Sequence, residues 1–242
     1  MNRSLSIIMP ALNMEHLVGE AIATTTRALQ RAGLSDYEII VLVNTSRDGS
    51  HDRTDEVVLD LAKKDSHIRP IINHHFKPFG LTYWQGVDLA QKENVMFIPS
   101  DDETIEDSMV GIFKDIGQVD LVVPYTVNKK ARSFKRRFVS RAFVILCNTL
   151  FGLRLRYYNG TCVVPTKLIR KVPMRSGSFA YMVQVLVLLI KSGARYVEVP
   201  MGIKPTSATA SFKIKSVIEA IHALARLFWD IHIKGVRIKI PF

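Results

Sequence analysis

Over the first 125 residues, short apolar runs alternate with stretches of helical spacing, and this alternation restricts the chain to very few folds. The apolar runs are residues 5–9 (LSIIM), 38–43 (EIIVLV), 69–73, 95–98 (VMFI) and 121–124. Between them, residues 15–31, 52–64, 82–92 and 107–116 repeat apolar side chains three and four apart. In the first of these stretches they are Leu17, Val18, Ala21, Ile22 and Leu29. A strand that is apolar throughout is buried on both faces, so the pattern predicts an α/β fold: a mostly parallel sheet with helices on both sides. Ligands of such sheets bind at the carboxyl ends of the strands. The residues just after each apolar run are therefore the ones to read for function.

Beyond Pro124 the character changes. Residues 128–141 (NKKARSFKRRFVSR) hold seven cations: Lys129, Lys130, Arg132, Lys135, Arg136, Arg137 and Arg141. An apolar, helix-like stretch runs on to Leu155. Then come a strand at 160–165 (GTCVVP), a helix at 180–192, a strand at 196–200 (YVEVP) and a basic amphipathic helix at 213–231, before an alternating polar–apolar tail. Residues 77–80 read as a turn before the third helix. No internal repeat or Pro/Gly/Ser-rich linker divides the 242 residues, so a single domain is expected.

Hydrophobic residues make up 48% of the chain and charged residues 23%, a balance that builds a core and excludes disordered, collagen-like and disulfide-scaffold classes. The 33 Lys and Arg against 22 Asp and Glu leave a net charge of +11. Such a surface attracts polyanions, whether nucleic acid, anionic lipid or phosphorylated small molecules. No aromatic-rich basic strand or other nucleic-acid motif accompanies the charge, and no nucleic-acid partner is expected. Cys147 and Cys162 are too few for a disulfide framework or a zinc site, and their apolar neighbours predict buried, reduced, inert thiols. No apolar run reaches the roughly 18 residues of a membrane-spanning helix, and the stretch before Pro10 is too short for a signal-peptide core. The expectation is an intracellular chain that touches a membrane without crossing it.

Four segments carry the candidate chemistry. After the first strand stand Pro10, Leu12, Asn13, Met14 and Glu15. After the second comes NTSRDGS (44–50), whose backbone N–H groups open a helix and suit a base, ribose or phosphate, or else form an ordinary capped turn. The fourth strand runs into Pro99-Ser100-Asp101-Asp102-Glu103. Three consecutive acids repel one another, and a cation or substrate relieves that repulsion. In extended backbone Asp101 and Glu103 share one side, a placement that suits Mg²⁺ or Mn²⁺ shared with diphosphate oxygens. A solvated helix N-terminus, where acids complement the macrodipole, accounts for the same residues. The fourth segment is the basic stretch, read either as a phosphate grip or as a solvated loop.

Taken in order, these segments resemble the family 2 glycosyltransferases, and among them the dolichyl- and polyprenyl-phosphate sugar transferases. SIIMPALNMEHLVGEAI resembles the family's strand followed by P-x-Y-N-E-E. EIIVLVNTSRDGSHDRTDEVV is similar to E-I-I-V-V-D-D-G-S-x-D-G-T, and KPFGLTYWQGVDLAQKENVMFIPSDDE to K-G-x-G leading into F-L-D-A-D. RRFVSRAFVILCNTLFGLRLRYYNGTCVVPTKLI resembles the R-x-x-S-R region, and GSFAYMVQVLVLLIKSGARYVEVP the region ending in E-V-P. The resemblance covers nearly the whole chain. It implies a single GT-A domain, a nucleotide-sugar donor, a divalent metal (Mg or Mn) and inversion at the sugar carbon. Residues 1–125 would bind the donor, and residues 126–242 would face the acceptor and the membrane.

Carried over residue by residue, Pro10 and Leu12 would line the nucleobase pocket, with Leu12 in place of the usual Tyr and with Asn13 and Glu15 beside them. Asn44 stands where the first Asp of the D-D pair contacts the base, Asp48 matches the Asp of D-G-T, and Lys77 the Lys of K-G-x-G. Asp101 falls at the second Asp of the D-x-D metal motif and Glu103 two positions on, so both would be metal ligands. Asp101, Asp102 and Arg137 would form the catalytic set, with Asp102 an added carboxylate. Three departures stand out: Pro99 replaces the first Asp of D-x-D, Met14 replaces a Glu, and the second turn is one residue short.

On the acceptor side, Arg137, Ser140 and Arg141 fall at R-x-x-S-R, with Arg132 just before them. Gln184, Lys204, Ser211 and Lys213 fall at further family positions, and the set would hold a lipid phosphate. Such an acceptor already carries a negative oxygen and needs no general base. That suits a region in which Glu198 is the sole acid between residues 121 and 218. Residues 138–155 and 214–229 are apolar-faced and edged with Lys and Arg, the pattern of helices lying on anionic membranes, with core packing as the other reading. The expected location is cytoplasmic, peripheral at the inner membrane face, with a homo-oligomer or a membrane partner. Two alternatives accompany this reading. One is transfer to a soluble or glycan acceptor, which needs a catalytic base; the other is a non-catalytic descendant binding nucleotide or nucleic acid.

Overall fold

The computed structural model describes residues 3–128, 134–158, 160–178, 180–205 and 214–240. Seven strands form one sheet: β1 (Leu5–Ala11), β2 (Tyr37–Asn44), β3 (Ile68–Asn73), β4 (Asn94–Phe97), β5 (Leu121–Thr126), β6 (Val163–Pro165) and β7 (Tyr196–Met201). Their order is β3-β2-β1-β4-β6-β5-β7. Neighbours are parallel except β6, which runs antiparallel to both β4 and β5. The expected mostly parallel sheet is therefore present, with one short reversed strand inside it.

Alternating side chains divide the core in two. Ile8, Ile40, Leu42, Val95 and Val164 point to one face. That face is covered by α3 (Phe79–Leu89), α5 (Phe134–Phe151), α6 (Thr166–Ile169), α7 (Tyr181–Lys191) and α8 (Ile214–Phe228). Ile7, Met9, Ile39, Val41 and Met96 point to the other, under α1 (Val18–Arg31), α2 (Thr54–Lys64) and α4 (Glu106–Lys114). Helix α7 is buried on every side from Tyr181 to Leu189, which explains why its sequence lacks a polar stripe. Helix α1 ends where Gly33 takes φ +65° and the Leu34 N–H donates back to the Leu29 carbonyl, 3.0 Å away.

Two boundaries differ from the sequence reading. Helix α3 begins at Phe79, within the segment read as a turn. Gly80 is there for close approach: its N–H donates to the Gly177 carbonyl at 3.1 Å, and a Cβ would sit 2.3 Å from the Ser176 carbonyl oxygen. Helix α8 ends at Phe228 and continues as a π-helix, Trp229–Ile233. The alternating tail is not a strand, yet it buries Ile238 and Ile240 against the core. No described helix is long and apolar enough to cross a membrane.

Cys147 and Cys162 are free and buried on the α5–α8 side of the sheet. Burial pushes both thiols up to about 12. Because the thiolate is the reactive form, neither is expected to react with an aromatic disulfide reagent at neutral pH in the folded chain. Both should react in denaturant, and a thiol count with and without denaturant checks this.

Candidate active site

The parallel register of β1 with β2 and β4 brings the segments after these strands to one edge of the sheet. Ser100 Oγ donates to the Pro10 carbonyl at 2.8 Å and ties two of them together. Among the described residues, only Asn13 and Asp102 are non-glycine residues with positive φ, both at 54°. They follow β1 and β4, flanking this edge, and residues of this kind tolerate the left-handed region only at a cost.

The acidic segment differs from the extended arrangement read from sequence. Asp102 turns the chain at φ 54°, and the Glu103 N–H donates to Asp101 Oδ1 at 3.1 Å, so simple side-to-side alternation does not hold. Burial holds the Asp101 carboxyl above its usual range, and the charges of Glu103 and Asp102 push the same way. Asp102, read as an added carboxylate, is instead ion-paired with Lys204 Nζ. Lys204, expected among the acceptor residues, therefore sits in the acid cluster. Its backbone N–H donates to the Glu103 carbonyl at 2.7 Å, and Thr104 bridges to Ile203.

The mouth of β2 and β3 is a neutral amide network. Asn44, buried, donates through Nδ2 to Thr82 Oγ1 and accepts from Asn73 Nδ2, both at 2.9 Å. Asn73 Oδ1 accepts from Gln85 Nε2 at 3.0 Å and from Lys77 Nζ at 3.2 Å, and Lys77 also donates to Gln85 Oε1 at 2.6 Å. Both of these partners of the Lys77 ammonium are uncharged oxygens. A cavity of about 160 Å³ opens beside this network, lined by Asn44, Thr45, Asp52, Asp55, Asn73 and His74. The acids after β4 do not line it.

Glu15 and Asp52 clasp one another's loops. The Glu15 N–H donates to Asp52 Oδ2 and the Arg53 N–H to Glu15 Oε2, each at 3.0 Å. Burial works against the Asp52 charge, but hydrogen bonds from Thr54 and the Glu15 N–H hold its carboxyl below the usual range. Glu15 thus braces the β1 loop on the start of α2. Asp48 is exposed and closes its own turn: hydrogen bonds from the Ser50 hydroxyl and N–H lower its carboxyl. Leu12 and Asn13 are exposed and Pro10 half-buried at the mouth of β1.

Of the residues expected at the acceptor, Arg137 is half-buried on α5, with its guanidinium carbon 5.7 Å from the Phe134 ring centroid. Its Nε is buried with no hydrogen-bond partner among the described residues. Ser140 is half-buried and Arg141 exposed one turn on. Gln184 lies inside α7, where its Oε1 accepts the Ser176 N–H at 3.2 Å, so it supports the 176–178 turn from within the core. Arg132, Ser211 and Lys213 lie outside the described residues. Asn128 clasps Ile203 through bonds of 2.7 and 3.0 Å, so the basic stretch starts one residue beyond a contact with the neighbour of Lys204.

Among the described residues, no group of three or more His, Cys, Asp or Glu is placed to hold a metal unaided. The donors after β4 suit another kind of ion site. Mg²⁺ is commonly held by one or two carboxylates plus substrate phosphate oxygens. Asp101, half-buried and held above its usual range by desolvation and neighbouring acids, is a hard donor short of positive charge. Sequence reading missed Asn73, Thr82 and Gln85. Asn73 ends β3, so attention to strand ends would have found it; Thr82 and Gln85 carry no local signal.

Comparison with known proteins completes the picture. The glycosyl transferase family 2 model matches residues 6–176. A GalNAc(5)-diNAcBac-PP-undecaprenol beta-1,3-glucosyltransferase of Campylobacter jejuni is 36% identical over 107 residues, covering 43% of this chain and 32% of that protein. The uncharacterized glycosyltransferase EpsJ of Bacillus subtilis is 39% identical over 100 residues, covering 40% and 26%. The chain thus matches about a quarter to a third of the length of these curated relatives. Among solved structures, Mycobacterium tuberculosis glucosyl-3-phosphoglycerate synthase bound to UDP superposes with TM-score 0.67 at 18% identity, over 95% of this chain and 80% of that one. The same enzyme has been solved with Mn²⁺, UDP and phosphoglyceric acid (TM-score 0.65, 18% identity, 95% and 78% covered). Rubrobacter xylanophilus mannosyl-3-phosphoglycerate synthase gives 0.64 at 17% identity, over 98% and 77%. These superpositions identify the sheet with its single reversed strand as a GT-A-type fold, and the family match over most of its length makes the chain a family 2 glycosyltransferase.

Proposed function

We propose that this glycosyltransferase moves a sugar, with inversion, from a nucleotide-sugar donor to a polyprenyl- or dolichyl-phosphate-type lipid at the cytoplasmic face of a membrane. The observation that carries the reading is the division of charge. Half-buried Asp101 and its acidic neighbours stand at the donor edge of the sheet, whereas residues 121–218 contain one acid, Glu198, against many cations. Glu198 is itself engaged: its Oε1 accepts the Arg156 N–H at 2.7 Å, and Arg156 Nε lies 3.8 Å from Oε2. A hydroxyl acceptor needs a free base, and a phosphate acceptor does not. The undecaprenol-linked name of the Campylobacter relative supports the same acceptor class.

In this reading residues 1–125 hold the donor and residues 126–242 the acceptor. Pro10, Leu12, Asn13, Asn44 and Lys77 form the base and ribose side, while Glu15 and Asp48 shape the loops around it. Asp101 with Glu103 would hold Mg²⁺ or Mn²⁺, which when bound offsets the charge of the leaving diphosphate. The unpartnered Arg137 Nε, with Ser140, Arg141, Arg132, Ser211 and Lys213, would receive the acceptor phosphate. A phosphate oxygen attacks the anomeric carbon as the bond to the nucleoside diphosphate breaks on the opposite face. Lys204, paired with Asp102, adds a positive charge at the same edge.

Calorimetric titration with UDP and with GDP, each with and without Mn²⁺, tests the donor side. Mn²⁺ is expected to strengthen UDP binding by about tenfold or more, equivalent to about 1.4 kcal/mol. The neighbours solved with UDP support uridine over guanosine. Absence of binding by either nucleotide would overturn the proposal.

A further inference from the structure

A helix on a protein surface normally turns a polar face to water. Helices α5 and α8 do not. α5 buries Cys147 and Phe151, yet its outward side shows Phe134 at 74%, Phe138 at 69% and Ile145 at 57% exposure. Spacings of four and seven residues place these three on one stripe. α8 buries Leu224 and Leu227, and its opposite side, continuing into the π-helix, exposes Ile218, Ile221, Trp229 and Ile233. Both helices are thus apolar inside and outside. They meet where Phe151 stacks on His232 at 6.3 Å.

The charge around these stripes selects what covers them. α5 contains no acid, carries exposed Arg141 and follows the basic stretch 129–137. At the other end α8 carries one exposed acid, Glu219, and Lys234 lies 3.1 Å and Arg226 3.9 Å from Asp230, which is buried. A second copy of this chain would press cations against cations, which disfavours association. An anionic bilayer offers hydrocarbon to the apolar stripes and headgroup charge to the basic rim, with a tryptophan at the boundary. We propose that the outward faces of α5 and of α8 with its π-helix lie in the headgroup layer of an anionic membrane. This deepens the lipid-acceptor reading by assigning the surface that presents the enzyme to its acceptor.

Vesicles of phosphatidylcholine, alone or equimolar with phosphatidylglycerol, test it without donor or acceptor, so failure here is distinguishable from failure of nucleotide binding. The chain should co-sediment with the anionic vesicles, weakly or not at all with the neutral ones, and less in high salt. Tryptophan emission should shift to the blue. Trp84 is only 2% exposed and Trp229 is 55% exposed, so the shift reports the π-helix. The double variant F138E/I145E should bind anionic vesicles at least about tenfold more weakly, with UDP binding unchanged. Equal binding of the double variant and the natural chain, no preference for anionic vesicles, or a dimer in light scattering that the double variant abolishes would each overturn the proposal.

Discussion

Exchanging Asp101 for Asn is expected to lower sugar transfer roughly a thousandfold, the scale of losing one preorganised electrostatic contact to a developing charge. It should also abolish the effect of Mn²⁺ on UDP affinity. Asn is nearly isosteric and its Oδ1 still accepts the Glu103 N–H, so the turn at Asp102 persists and only the charge is lost. The sign of the stability change separates this from damage to the fold. Desolvation holds the Asp101 carboxyl above its ordinary range, so its ionised form destabilises the apo protein at neutral pH. The Asp101→Asn protein should therefore melt at the same temperature or slightly higher while transferring far less sugar. Asp102→Asn should do less to Mn²⁺ dependence, because Asp102 already has Lys204 as its cation. Should Asp101→Asn keep both its turnover and its response to Mn²⁺, the assignment of the donor edge would fail.

What the sequence disclosed depended on how local the determining contact is. β1 and β2 were legible because each is apolar on both faces over five or more residues, which local pattern alone reports. Asp101 was singled out by the same logic, since the end of a buried strand is where such sheets place ligands, and the fold sets it just beyond β4. The reversed direction of β6 left no trace in three residues, and it depends on pairing with β4 and β5. Gly80 was misread because glycine ordinarily marks a turn, whereas here it admits the backbone of Ser176 and Gly177 from far along the chain. The extended backbone expected from Asp101 to Glu103 is absent for the opposite reason. A single positive φ at Asp102, with a hydrogen bond two residues long, overrides the period-two rule. The Asp102–Lys204 pair and the Asn44–Asn73–Gln85 network join residues whose proximity only the folded sheet creates.

The largest loss of stability is expected at the other end of the same strands. Glu38, 7% exposed near the start of β2, joins four segments through one carboxylate. Oε1 accepts the Ser6 hydroxyl of β1 and the Gln91 N–H before β4, both at 2.6 Å. Oε2 receives Arg69 of β3 at 3.1 Å, and Arg69 also donates to the Leu89 carbonyl at the end of α3, 3.0 Å away. Truncation to alanine leaves a buried hydroxyl and a partly buried N–H without their acceptor and a half-buried guanidinium without its counter-charge, a loss of about 4 kcal/mol. For a chain of this size that corresponds to roughly 10 °C in Tm. Glu38→Gln keeps one acceptor oxygen and should lose about half as much. Six residues separate Glu38 from Asn44, about 20 Å along the strand, so the folded fraction of either variant should bind UDP as the natural chain does. A Tm change of less than about 2 °C in Glu38→Ala, or weakened nucleotide binding in protein that is still folded, would mean that the sheet's two ends are not divided into a scaffold end and a binding end.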